Sequence, residues 1–444
     1  MAASWGLLSG TIGRGPVSRN FGRERLVSSV RLPELDGEMC LTQPASAGMT
    51  RAAGTPQASG GEAGASRANS GVVEEVAKRP PVRILRDTAS AYSGVAVDPV
   101  RNEVVIADEN QFNLLVYDRL ENTPPNARLS EPKRIIGGEE TFLEYTCSVY
   151  IDPATGEIYG VNNDTMNWVP VFSRDAKGNA KPSRKLATPH TTFGIAVDEQ
   201  AREMFFTIQD DHAVVVYKKT AQEDDGALRS LQGPHTMLAD PHGIAIDDKA
   251  GLIYVTNWGS SNERLTPEQG GAGPEKPNWP LGRDNNIPSS GKFQPPSIAV
   301  FSKGATGDTP PLRVIQGPKT QLNWPTSIAV HPDRGEIFVA NDTADTVTVY
   351  RSDSSGDVVP MRVLKGPRTM IKNPTGVAVD LKNSELWVAN FGSHTATVFA
   401  IDAAGNAPPL RAIRSGPIDQ PAPMLGNPHT VAFDSKREEL LVGN

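Results

Sequence analysis

The chain has 444 residues, a net charge of −7 and only two cysteines, Cys40 and Cys147. No clustered Lys/Arg run is present to displace the counterions of a nucleic acid, two cysteines make no disulfide framework, and no apolar run reaches the roughly 18 residues of a membrane helix. The composition therefore predicts a soluble protein with no nucleic-acid groove and no membrane span. Glycine (41) and proline (37) are abundant without a collagen-like period, which points to many turns between short strands.

Residues 1–33 carry Arg14, Arg19, Arg23, Arg25 and Arg31 against a single acid, Glu24. This faintly resembles a transit peptide; the plainer reading is an unstructured extension or a misplaced start. No secretory signal is legible, because Ser9 and Gly10 break the apolar piece Trp5–Leu8 and no h-region follows. From Gln43 to Gly71 the chain is Ala, Gly, Ser, Thr and Pro, too poor in large apolar groups to offset the entropy of ordering. Residues 1–80 are expected to be a disordered, low-complexity extension.

From residue 81 onward, short apolar runs recur as copies of one another. A first run, strand a, begins at Gly94 (GVAVD), Ser148, Gly194, Gly243, Ser327, Gly376 and Thr430 (TVAFD); a second, strand b, ends 14 residues later each time, at Asp108, Asn162, Ile208, Asn257, Asn341, Asn390 and Asn444. Strand c ends on an aromatic residue at Tyr117, Phe172, Tyr217, Phe301, Tyr350 and Phe399. Strand d carries an arginine between apolar residues, at positions 83, 134, 184, 229, 313, 362 and 411. The spacing from the aromatic of c to the arginine of d is 12 residues in five cases and 17 between Tyr117 and Arg134.

Four antiparallel strands per unit of about 50 residues cannot bury both faces of a small sheet unless neighbouring units stack on it, and radial stacking closes a ring. The expectation is an all-β, seven-bladed β-propeller over residues 81–444. Its last blade would be shared between the termini and would lack strand c, as if the chain were truncated by one strand. A six-bladed ring is the alternative, and it would leave one complete hairpin unpaired.

In such a blade the start of a and the end of b share one rim. That first face receives the Asp/Asn ring (Asp108, Asn162, Asn257, Asn341, Asn390, Asn444), the residues preceding each strand a, and every b–c loop. One b–c loop is exceptional: 44 residues separate Asn257 from Phe301 where the other copies use 9 or 10, an insertion over 258–297 that contains Trp258 and Trp279. So long a loop inside a compact fold is either functional, here as a lid over the first face, or disordered. The Asp/Asn ring keeps the repeat symmetry, so its simplest role is to hydrogen-bond the adjoining turns. The repeated arginines read as an outer-strand device pairing with acidic neighbours. No G-x-S-x-G, H-E-x-x-H, G-x-G-x-x-G, Walker A or D-x-D-x-D-G motif occurs.

The run Gly-Ile-Ala-Val-Asp, followed by Ile253–Asn257 (IYVTN) and Thr346–Tyr350 (TVTVY), resembles the NHL and YVTN repeat β-propellers of bacteria over residues 81–444. The resemblance is specific for fold. It implies extracellular or periplasmic residence and leaves function open, since these repeats serve binding, cell-surface and enzymatic propellers alike. His242 and His429 precede strands a, as in the metal-binding lyase propellers that contain NHL repeats, which implies a divalent metal there; the equivalent positions Ser93, Cys147, Phe193, Thr326 and Thr375 supply no third histidine. Propeller lactonases use scattered carboxylate and Asn ligands, a role open to Asp108, Asn162 and Asn257. Two readings follow: a non-catalytic scaffold binding a protein or extended ligand through the first face, with no cofactor, or a metal-dependent lyase or lactonase using that same face.

Overall fold

Residues that alternate apolar side chains with period two form the strands, and the strands assemble in the order in which the copies occur. In the computed structural model the described residues are 90–164, 166–261 and 292–416, with the strands Leu26–Ser29, Arg83–Leu85, Thr430–Asp434 and Glu439–Gly443. Residues Met1–Thr88 and Ala89–Asn444 form two units. In the first unit, Leu26–Ser29 pairs antiparallel with Arg83–Leu85; the rest of the expected disordered extension lies outside the described residues.

The second unit contains six four-stranded antiparallel sheets, spanning 92–137, 146–187, 192–232, 241–316, 325–365 and 374–414, each in the order a-b-c-d. The constant offset of 14 is the register of the a–b hairpin, seen in Pro374 opposite Asn390 and Asp380 opposite Glu385. The carboxylate of Asp98 closes one such hairpin by accepting the N–H groups of Val100 and Arg101, both at 3.0 Å. The aromatic residue ending each strand c is buried between two sheets, a gain of about 2 kcal/mol for each ring removed from water.

Every sheet shares an apolar core with the next. Blades 1 and 2 meet through Val105, Leu114 and Phe172, and blades 2 and 3 through Val171, Phe206 and Tyr217. Blades 3 and 4, 4 and 5, and 5 and 6 repeat the arrangement. Blade 6 then packs on blade 1, with Trp387, Val398 and Ile413 against Tyr92, Ile106 and Leu115. The ring therefore closes with six blades among the described residues, which is the alternative count. The shared seventh blade is corrected: Thr430–Asp434 and Glu439–Gly443 form a two-stranded sheet of their own, and Arg83–Leu85 pairs with Leu26–Ser29.

The irregular spacing in blade 1 accounts for the closure. In five blades the outer strand d meets the c–d turn of the following blade, as Leu364 meets Gly405. At the last seam the longer turn between Tyr117 and Arg134 takes that role: Thr123 N–H donates to Ala412 O (2.9 Å), Ser130 N–H to Arg414 O (2.9 Å), and Arg414 N–H to Thr123 Oγ1 (2.8 Å). The extra residues of that turn thus join the outer strand of blade 6.

The strand-d arginines form ion pairs with a glutamate at the start of strand b in five blades, Arg134–Glu103, Arg184–Glu157, Arg229–Glu203, Arg362–Glu336 and Arg411–Glu385. Several also reach the next blade, as Arg134 does in donating to Arg174 O at 2.6 Å. The hydrogen bonds of Arg362 hold the Glu336 carboxyl down at about 2. Blade 4 has Leu252 in place of the glutamate, and Arg313 donates to Ser352 O instead.

Candidate functional site

A channel runs along the axis, lined by the six inner strands. Its neck is formed by Gly94, Ser148, Gly194, Gly243, Ser327 and Gly376, and the next residues inward are Val or Ile. The glycines are required by close approach: a Cβ on Gly243 would lie 2.7 Å from Ser327 Cα and 2.9 Å from both Ile328 N and Thr326 O. The channel volume is about 80 Å³, room for a few waters and far below the ~300 Å³ of a small-molecule pocket. The bore is therefore too narrow to hold a drug-sized ligand.

The Asp/Asn ring stands at the mouth on the first face and faces the loops. In five blades the side-chain oxygen accepts a backbone N–H from the d–a loop of its own blade: Ala91 N–H to Asp108 (3.0 Å), Glu144 to Asn162 (3.1 Å), Ala239 to Asn257 (3.1 Å), Asn323 to Asn341 (3.0 Å) and Lys372 to Asn390 (3.3 Å). All five side chains are buried. Asn341 and Asn390 also donate from Nδ2 to Thr348 and Thr397 Oγ1, at 3.0 Å each.

One residue further on, the backbone geometry is again sixfold. The N–H groups of Glu109, Asn163, Gln209, Trp258, Asp342 and Phe391 donate to the carbonyls of Ala91, Tyr145, Thr191, Asp240, Trp324 and Asn373, at 3.0–3.1 Å. Each of these residues directly follows the end of a strand b, one position beyond the Asp/Asn column. All six side chains differ. Sequence reasoning named only Trp258 of this set, although the signal was present: a column in which every copy disagrees sits next to one that is nearly uniform.

The set divides the mouth into two arcs. On one side His242 is fully buried, with its ring stacked on Trp258 at 3.6 Å and 13°, tilted against Phe193 at 4.4 Å, and Trp258 lies 4.4 Å from Trp324. Both ring nitrogens of His242 are committed. Nδ1–H donates to Asp240 O at 3.0 Å, and Nε2 accepts from Gln209 Nε2 at 2.7 Å; Gln209 Oε1 in turn accepts from Asn163 Nδ2 at 2.5 Å. Burial pushes the imidazole down to about 3, so it is neutral. His242 is thus a structural member of an aromatic wall.

The other side is acidic. Burial, followed by the neighbouring charges of Asp108, Asp164 and Asp342, raises the Glu109 carboxyl to about 7. No hydrogen bond or ion pair engages that carboxylate among the described residues. Burial raises Asp108 to about 6; on the aromatic side, beside His242, burial with the nearby Asp210 charge raises Asp240 to about 7. Asp342 is also raised by burial and accepts from Asn373 Nδ2 at 3.0 Å.

A folded-state carboxyl raised from 4.5 to about 7 adds stability that is present below pH 4.5 and is lost as pH rises through 7. Glu109→Gln removes that dependence. The variant should melt at the wild-type temperature near pH 4.5 and above it at pH 8, a difference read by calorimetry across the two buffers.

Among the described residues, the proposed histidine and Asp/Asn ligands do not fit a divalent metal. The nitrogens of His242 and the oxygens of Asn162, Asn257, Asn341 and Asn390 already serve internal hydrogen bonds, and no group of three or more His, Cys, Asp or Glu is arranged to hold a metal among the described residues. His429, Trp279 and Asn444 lie outside the described residues. The 258–297 insertion is rooted in blade 4 beside the aromatic wall, where Ser260–Ser261 pairs with Lys292–Phe293. Among the described residues no helix is long and apolar enough to cross a membrane.

Fold and mouth together define a β-propeller with an asymmetric axial entrance. A family model described as "Lactonase, 7-bladed beta-propeller" matches residues 298–444, a stretch holding blades 5 and 6 and the seventh sequence copy. The search of curated proteins found no match. Among solved structures the chain is similar to Kuenenia stuttgartiensis hydrazine synthase at 12% identity and a TM-score of 0.46, covering 71% of this chain and 97% of that one.

Proposed function

We propose that this chain is a non-catalytic binding propeller of the NHL/YVTN type that holds a protein or extended ligand at the mouth of its first face, beside the 258–297 insertion. The observation that carries this reading is the break in symmetry at one column. Six identical backbone positions present Glu109, Asn163, Gln209, Trp258, Asp342 and Phe391 around one axis, and a purely structural column would repeat, as the Asp/Asn ring does. Trp324, 46% exposed in the loop preceding strand a of blade 5, extends the aromatic wall outward. Exposed aromatic residues of this kind anchor interfaces.

Replacing residues 262–291 by a short Gly-Ser turn removes no strand of the six blades. The shortened protein should keep its melting temperature and lose the partner that the full chain retains, with the partner identified by mass spectrometry and binding measured by surface plasmon resonance. Unchanged partner affinity in the shortened protein would end this reading.

A lactonase-type enzyme is the second reading, favoured by the family-model match over residues 298–444 and by the unengaged Glu109 carboxylate at the entrance. Lactone hydrolysis by the purified protein, lost in Glu109→Gln, would replace the first reading with this one.

A further inference from the structure

We draw no further inference here: the strongest candidate, the surface patch of exposed Val100, Leu120 and Leu381 on the turns at the seam between blades 6 and 1, is an apolar face of the ring, and nothing in the structure shows what covers it.

Discussion

Gly243→Val should cost the propeller about 3 kcal/mol or more of stability, whereas Gly226→Ala should change it by less than about 0.5 kcal/mol. The neck of the channel is where six inner strands approach one axis, and at Gly243 the closest atoms are Ser327 Cα, Ile328 N and Thr326 O, all of the neighbouring backbone. A side chain can rotate away from an intruding methyl group, but a strand hydrogen-bonded into its own sheet cannot move without opening that sheet. Gly226 has nothing within 4 Å of its added Cβ, so it separates the loss of glycine from overpacking. Chemical denaturation of both variants measures the contrast, and a stable Gly243→Val protein would mean that the six strands are not held as tightly as described.

Glu385→Ala should destabilise the ring by about 3–5 kcal/mol, more than any other exchange at the outer-strand ion pairs. Glu385 Oε2 accepts from Arg411 of its own blade and from Arg119 of blade 1, both at 2.8 Å, and the carboxylate and the Arg119 guanidinium are both shielded from water. Removing the carboxylate leaves the Arg411 and Arg119 guanidinium groups with only Asp380, 3.7 Å from Arg119, at the one seam that the chain does not cross covalently. The exposed pair Arg351–Asp353 is the control, since Asp353→Ala should cost less than about 0.5 kcal/mol. Hydrogen exchange should show the Arg411–Arg414 strand and the Thr123–Ser130 turn opening together in Glu385→Ala. Protection lost evenly over all six blades would refute a special role for this seam.

Strand content, blade composition and the a–b hairpin register were legible in the sequence, because each is set by local alternation and a constant offset that any copy reveals. The pairing of the strand-d arginines with acidic neighbours was legible for the same reason. The number of blades was not. Seven copies are present in the chain, yet the blade count depends on how closely strands approach the axis and on which surfaces meet after closure. The six ring blades place Gly or Ser at the neck where the seventh copy has Thr430, and the lengthened Tyr117–Arg134 turn bonds to blade 6. The spacing exception was visible in the sequence, but its role required knowing which strand it would reach.

The candidate site divides in the same way. The sequence by itself determined the first face, the nearly uniform Asp/Asn column and the insertion after Asn257, since each follows from repeat position. Only the tertiary structure decided that the Asp/Asn side chains turn to the loops, that His242 is a neutral ring within an aromatic stack, and that burial with the neighbouring charges of Asp108, Asp164 and Asp342 raises the Glu109 carboxyl. The physical reason is that burial, ring stacking and the convergence of charges from blades hundreds of residues apart are properties of the closed ring, and no single repeat encodes them.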